Sequence, residues 1–134
     1  MADPVEVEQF FVAEFIAAGF GLPLVQENEG PAAGIARPYC ELKAFPNEET
    51  PETLACSNQL TGVHQFSLTY DPEVGAMQGK LKRQEIFNHF RTRRRFTYNG
   101  IVIDITANMP FIADKRDDRF VVIGRILYKA QYAV

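Results

Sequence analysis

Apolar side chains first recur at helical spacing, at Val7, Phe10, Phe11, Phe15 and Ala18, with Glu8, Gln9 and Glu14 on the other side. Asp3 is placed to cap this helix, Pro4 fits its first position, and Glu6 completes a capping-box spacing. Gly19 and Gly21 stop it, and the Phe stripe is its core face. The pattern then changes to alternation. Residues 22–26 predict a short strand, residues 30–34 a Gly/Pro/Ala loop, and residues 39–45 a second strand. Residues 46–61 are polar and hold Asn47, Pro51, Ser57 and Asn58, which predicts a long loop of the kind that often serves contacts. Alternation returns over 63–70, with His64, Phe66, Leu68 and Tyr70 on one face, and Asp71-Pro72 closes it.

Residues 76–90 predict a second helix, with Ala76, Gly79, Ile86, Phe87 and Phe90 on its apolar side. Residues 94–98 lead into Asn99-Gly100, a strong hairpin signal, and the strand returns over 101–107 with Ile101, Ile103 and Ile105 on one face. Residues 109–112 read as an apolar link and 113–119 as a charged turn. Residues 120–132 read as a long last strand with Phe120, Val122, Ile126, Tyr128 and Tyr132 on one face. Hairpin connections dominate the second half. The expectation is an α+β fold: a single, mostly antiparallel sheet with two main helices packed against it, in one domain spanning 1–134.

Charge adds what periodicity cannot. Residues 1–75 carry twelve acidic and two basic side chains, and residues 76–134 carry twelve basic and five acidic. The two parts hold about −10 and +7, giving the net −3 of the chain. Net charge bears on association more than on fold. A subunit with an acidic and a basic part can bind a copy of itself head to tail, so the candidate interface comprises Lys80, Lys82, Arg83, Arg91, Arg93, Arg94, Arg95, Glu48, Glu49 and Glu52, with the arginines of 91–95 meeting the loop glutamates of a neighbouring copy. The same basic segment, 80–95, could instead meet a phosphate backbone. Against that stand a pI near 5.4 and the lack of aromatic residues within 91–95.

No catalytic, cofactor or metal site is legible. The chain has no Gly-x-Ser-x-Gly elbow, phosphate loop, His-Glu-x-x-His or dinucleotide-binding glycine pattern. His64 reads as a satisfied sheet residue, and His89 as a helix-end residue favoured by the dipole. Asp114, Asp117 and Asp118 are interrupted by Lys115 and Arg116, and their spacing fails the calcium-loop pattern. Cys40 and Cys56 stand sixteen apart without a Cys-x-x-Cys pair, which favours reduced thiols over zinc or a disulfide. No apolar run reaches the twenty or so residues of a membrane span, and the acidic start lacks the features of a secretory signal. These features predict an intracellular protein that is not an enzyme.

The order of elements over residues 10–132 resembles the phage tail terminator proteins, the lambda-like minor tail protein family of long-tailed phages. The carriers are the first helix, the strand at 39–45, Gly62 opening the next strand, and the helix end Ile86-Phe87-Asn88-His89-Phe90. They continue with the hairpin Asn99-Gly100-Ile101-Val102-Ile103-Asp104-Ile105, the acidic turn before Phe120 and the long closing strand. Order and spacing carry the likeness; no single motif does. The arginine run is more basic than the family pattern. The resemblance implies a structural virion protein, assembled in the host cytoplasm and located in the virion tail. It implies a homo-oligomeric ring, a hexamer, at the head-proximal end of the tail tube, where it stops tube polymerisation and serves head–tail joining. The implied partners are other copies of the chain, the major tail tube protein and the head–tail connector protein, with nucleic acid only as DNA passing through the ring. The alternatives are a neck or tail-tube component of the same assembly, or a nucleic-acid-binding module using 80–95.

Overall fold

The computed structural model describes residues 4–26, 38–46, 60–72, 75–111, 114–116 and 119–132. Within them the order is α1 (Pro4–Ala18), β1 (Leu24–Gln26), β2 (Tyr39–Pro46), β3 (Leu60–Tyr70), α2 (Gly75–His89), β4 (Arg95–Tyr98), β5 (Ile101–Pro110), β6 (Asp114–Arg116) and β7 (Arg119–Tyr132). The strands form one sheet in the order β1-β2-β3-β7-β5-β4, with β6 also on β7. Only the β1–β2 pair is parallel; every other pair is antiparallel. The α+β expectation holds.

Side-chain alternation explains which face is covered. Along β3 the even positions Leu60, His64, Phe66, Leu68 and Tyr70 are buried, and along β7 so are Val122, Ile126, Tyr128 and Ala130. Both helices lie on that face. Phe11 of α1 stacks on His64 with ring centroids 4.4 Å apart, Phe66 meets Phe87 of α2 edge-on at 5.4 Å, and Phe15 and Phe90 join the helices at 5.2 Å. Burying one such side chain contributes about 1.5–3 kcal/mol, so this aromatic cluster supplies much of the folding energy. The core leans on Phe in a chain that has eleven of them and no Trp.

Two glycines are required by contact. A Cβ on Gly124 of β7 would stand 2.4 Å from Phe66 Cζ, and one on Gly79 of α2 would stand 2.6 Å from Val122 Cγ2. At these points the central rings and α2 come down directly onto the sheet. The hairpin turn reads as its sequence demands, with Asn99 and Gly100 at φ 49° and 79°, the left-handed pair of a type I′ turn. Gly19 and Gly21, at φ 65° and 80°, terminate α1 as expected.

Four expectations change. The strand expected at 63–70 begins earlier, because Leu60 is buried and pairs with Ala130 of β7. The expected link at 109–112 is partly strand, because a bulge between Ile105 and Ala107 keeps β5 in register with β7 as far as Pro110. The same bulge turns Ala107 and Met109 to the face opposite Ile105, which hid the strand from a period-two reading. The charged turn contains β6, and Tyr132 is exposed rather than inward. Residues 47–59, with Cys56 and the loop glutamates Glu48, Glu49 and Glu52, lie outside the described residues, as do Asp117 and Asp118.

Candidate functional site

The basic segment separates into two groups. Four of its seven cations are engaged within the subunit. Lys82 donates to the Phe20 carbonyl at 2.8 Å and pairs with Glu85 at 2.8 Å, fixing the chain that leaves α1 to α2. Arg83 donates to the carbonyls of Phe111 (2.6 Å) and Ile123 (3.2 Å). That is just past the end of β5, where the Phe111 N–H still donates to the Ile123 carbonyl at 3.1 Å before β6 begins, so the guanidinium adds donors where the strand ladder runs out. Partial burial there lowers the Arg83 pKa from its ordinary value.

The end of α2 accounts for the other two. Phe90 leaves the helix, Arg93 takes a left-handed conformation at φ 75°, and its N–H donates to the Ile105 carbonyl at 2.8 Å. Arg94 then turns back to donate to the last helical carbonyl, that of His89, and lies over the Phe96 ring at 4.5 Å. Asn108 donates to the next carbonyl, Phe90, at 3.0 Å. Cations and donors at a helix C-terminus satisfy carbonyls that have no partner inside the helix. His89, whose Nε2 is 2.8 Å from Glu14 Oε1, ties the same point to α1. Arg95 pairs with Asp104 across the hairpin at 2.7 Å, and that hydrogen bond raises its pKa. Lys80, Arg91 and Arg93 remain exposed, with no side-chain hydrogen bond or ion pair among the described residues.

The two histidines differ from each other and from expectation. His89 is a tether between helices, whereas His64 is fully buried and neither ring nitrogen has a hydrogen-bond partner among the described residues. Burial alone pushes its pKa down to about 3, so the ring is neutral. Burial raises the Cys40 thiol and pushes the Tyr128 phenol up to about 12, with Glu8 adding to the second shift. These groups are held in their uncharged forms. Among the described residues no group of three or more His, Cys, Asp or Glu could hold a metal ion. Among the described residues no helix is long and apolar enough to cross a membrane.

The surface that charge reasoning missed is apolar. Among the described residues seven large hydrophobic side chains are exposed: Val5 and Ile16 on α1, Met77 and Leu81 on α2, Phe45 and Met109 on the face of the sheet opposite the helices, and Tyr132 near the end of β7. On the face opposite the helices Arg125 is held between the rings of Phe45 (5.7 Å) and Phe111 (4.7 Å), and its Nε donates to Gln65 at 2.9 Å. The sequence carried a signal for the helical part. In α1, Val5, Val12 and Ile16 lie outside the Phe stripe, so the helix is apolar on more than one side.

A solved protein without a descriptive name shares the fold at a TM-score of 0.71 and 18% identity, over 97% of this chain and 94% of that one. A search of curated proteins finds no match. Residues 7–122 match the family described as phage tail terminator protein, a family of structural proteins of the phage tail. The chain belongs to the phage tail terminator protein family.

Proposed function

We propose that this chain assembles into a ring at the head-proximal end of the phage tail tube, stops tube polymerisation there, and provides the surface on which head and tail join. The observation that carries this reading is the family match over residues 7–122. The ring is hexameric and forms in the host cytoplasm; its neighbours are copies of itself, the major tail tube protein and the head–tail connector protein. Exposed apolar side chains on both helices support an assembling subunit, because patches of this kind mark interaction sites. The basic segment contributes Lys80, Arg91 and Arg93, its three cations without a side-chain partner among the described residues; the loop glutamates Glu48, Glu49 and Glu52 are the proposed counterparts of Arg91 and Arg93 on a neighbour. Arg83 and Arg94 are taken up by backbone carbonyls and Arg95 pairs with Asp104 on the surface, which leaves fewer free cations for phosphates and weighs against a nucleic-acid module.

The test is tube assembly in vitro. Purified tail tube protein is allowed to polymerise with and without the chain, and tube length and end structure are imaged. Growth that halts with a cap at one end supports termination. Tubes that lengthen equally in both reactions, with the chain left in solution, refute it. Chain incorporated along the tube walls would favour the tube-component reading instead.

A further inference from the structure

We infer that the joint between neighbouring subunits sets the outer face of α1 in one copy against the outer face of α2 in the next; this rests on the ring reading above. α1 is fixed to the sheet by Val7, Phe10, Phe11 and Phe15, yet Val5 and Ile16 on its other side are 59% and 64% exposed. With Glu8, Gln9, Val12 and Ala13 they line a shallow cavity of about 490 Å³. A helix apolar on both sides is normally buried on both. α2 repeats the situation: Ile86, Phe87 and Phe90 face the core, while Met77 and Leu81, one turn apart, are 67% and 63% exposed. Met77 and Leu81 on one helix and Val5 and Ile16 on the other are thus two exposed apolar faces of the same subunit.

Charge decides which helix meets which. α1 carries Glu6, Glu8 and Glu14 and no Lys or Arg. Glu14 is tied to His89, which leaves Glu8 in the groove. α2 carries Lys80, Lys82 and Arg83 against Glu85 alone. Lys82 and Arg83 are engaged within the subunit, which leaves Lys80 between Met77 and Leu81. Joining α1 to α1 would oppose Glu8 to itself, and joining α2 to α2 would oppose Lys80 to itself. Only the α1–α2 joint pairs opposite charges. The two faces also lie toward opposite ends of the strands: Phe11 sits over His64 and Tyr128, whereas Gly79 sits over Tyr70 and Val122. A contact between different faces at different ends is heterologous, the type that closes into rings.

The experiment uses the full chain, sized by analytical ultracentrifugation and native mass under conditions in which the wild type forms rings. Ile16→Asp spoils the α1 face and Leu81→Asp the α2 face. Each variant alone should remain monomeric at tenfold the concentration at which wild type assembles, with an unchanged unfolding midpoint because both side chains are exposed. An equimolar mixture of the two has one intact joint per pair and should give heterodimers without rings. If an Asp variant unfolds, the charge series replaces it: Glu8→Lys and Lys80→Glu should each raise the assembly concentration, and both together in one chain should restore it. Variants that form rings as readily as wild type, a mixture that stays monomeric, or dimers of Leu81→Asp alone would overturn this joint while leaving the ring reading intact. A wild type that never forms rings, even with tail tubes present, removes both.

Discussion

Replacing His64 with leucine should abolish most of a specific acid sensitivity of the fold. The ring is fully buried between Phe11 and Phe15, and burial lowers its pKa to about 3 from the 6.5 of a free side chain. Between those values the unfolded chain binds a proton that the native chain does not. Stability therefore rises with pH across this window; the contribution is whole above 6.5 and is lost progressively as pH falls toward 3. At about 1.4 kcal/mol per pH unit, the loss between pH 7 and pH 5 is about 2 kcal/mol. That figure barely changes if the folded value is anywhere below about 4. At pH 7 the variant should lie within about 1 kcal/mol of wild type, because a gain of about 1–3 kcal/mol from removing unpartnered ring nitrogens offsets the lost stacking on Phe11. The assay is denaturant unfolding of both proteins at pH 7, 6 and 5. The wild type should lose about 2 kcal/mol more than the variant over that range. Parallel curves would show that His64 takes up its proton in the folded state, and the argument from burial would be wrong.

Three further outcomes follow from the contacts. Gly124→Ala should destabilise the fold by about 1–3 kcal/mol in thermal or denaturant unfolding, because the new methyl would collide with Phe66 and Phe87, rings held on all sides. Arg94→Ala should cost about 1–2 kcal/mol in the same assay, by uncovering the His89 carbonyl and removing a cation from the Phe96 ring. Arg91→Ala combined with Arg93→Gly should leave stability unchanged or slightly raised, since glycine accepts the left-handed backbone at 93. The same double variant should weaken assembly most at low salt, by about 0–1 kcal/mol per lost pair, as read by sizing at two ionic strengths.

The elements were legible where a period ran unbroken. The Phe stripe of α1, the alternation of β3 and the Asn99-Gly100 turn each state their structure in the sequence because a single buried face selects the pattern. The bulge after Ile105 broke that logic: one extra residue moves Met109 to the opposite face, so the second half of β5 looked like a link. His64 was misjudged for a different reason. Position on an alternating face gives burial but not hydrogen bonding, and its neighbours across the sheet and on α1 are apolar. In the charged segment the intramolecular contacts are what the sequence does not show. A run of like charges looks solvated or interfacial, yet Arg83 and Arg94 are consumed by backbone carbonyls whose positions follow only from the fold. Conversely, the exposed apolar positions of α1 were visible as residues outside the Phe stripe and became meaningful once the covered side was known.

The proposed role of this chain is a ring capping the tail tube. The most direct measurement is native mass together with electron micrographs of the chain mixed with purified tail tubes. The expected result is a ring of six copies seated at one end of each tube and a species of the corresponding mass in solution at high concentration. A chain that stays monomeric, with bare tube ends in the micrographs, would contradict it.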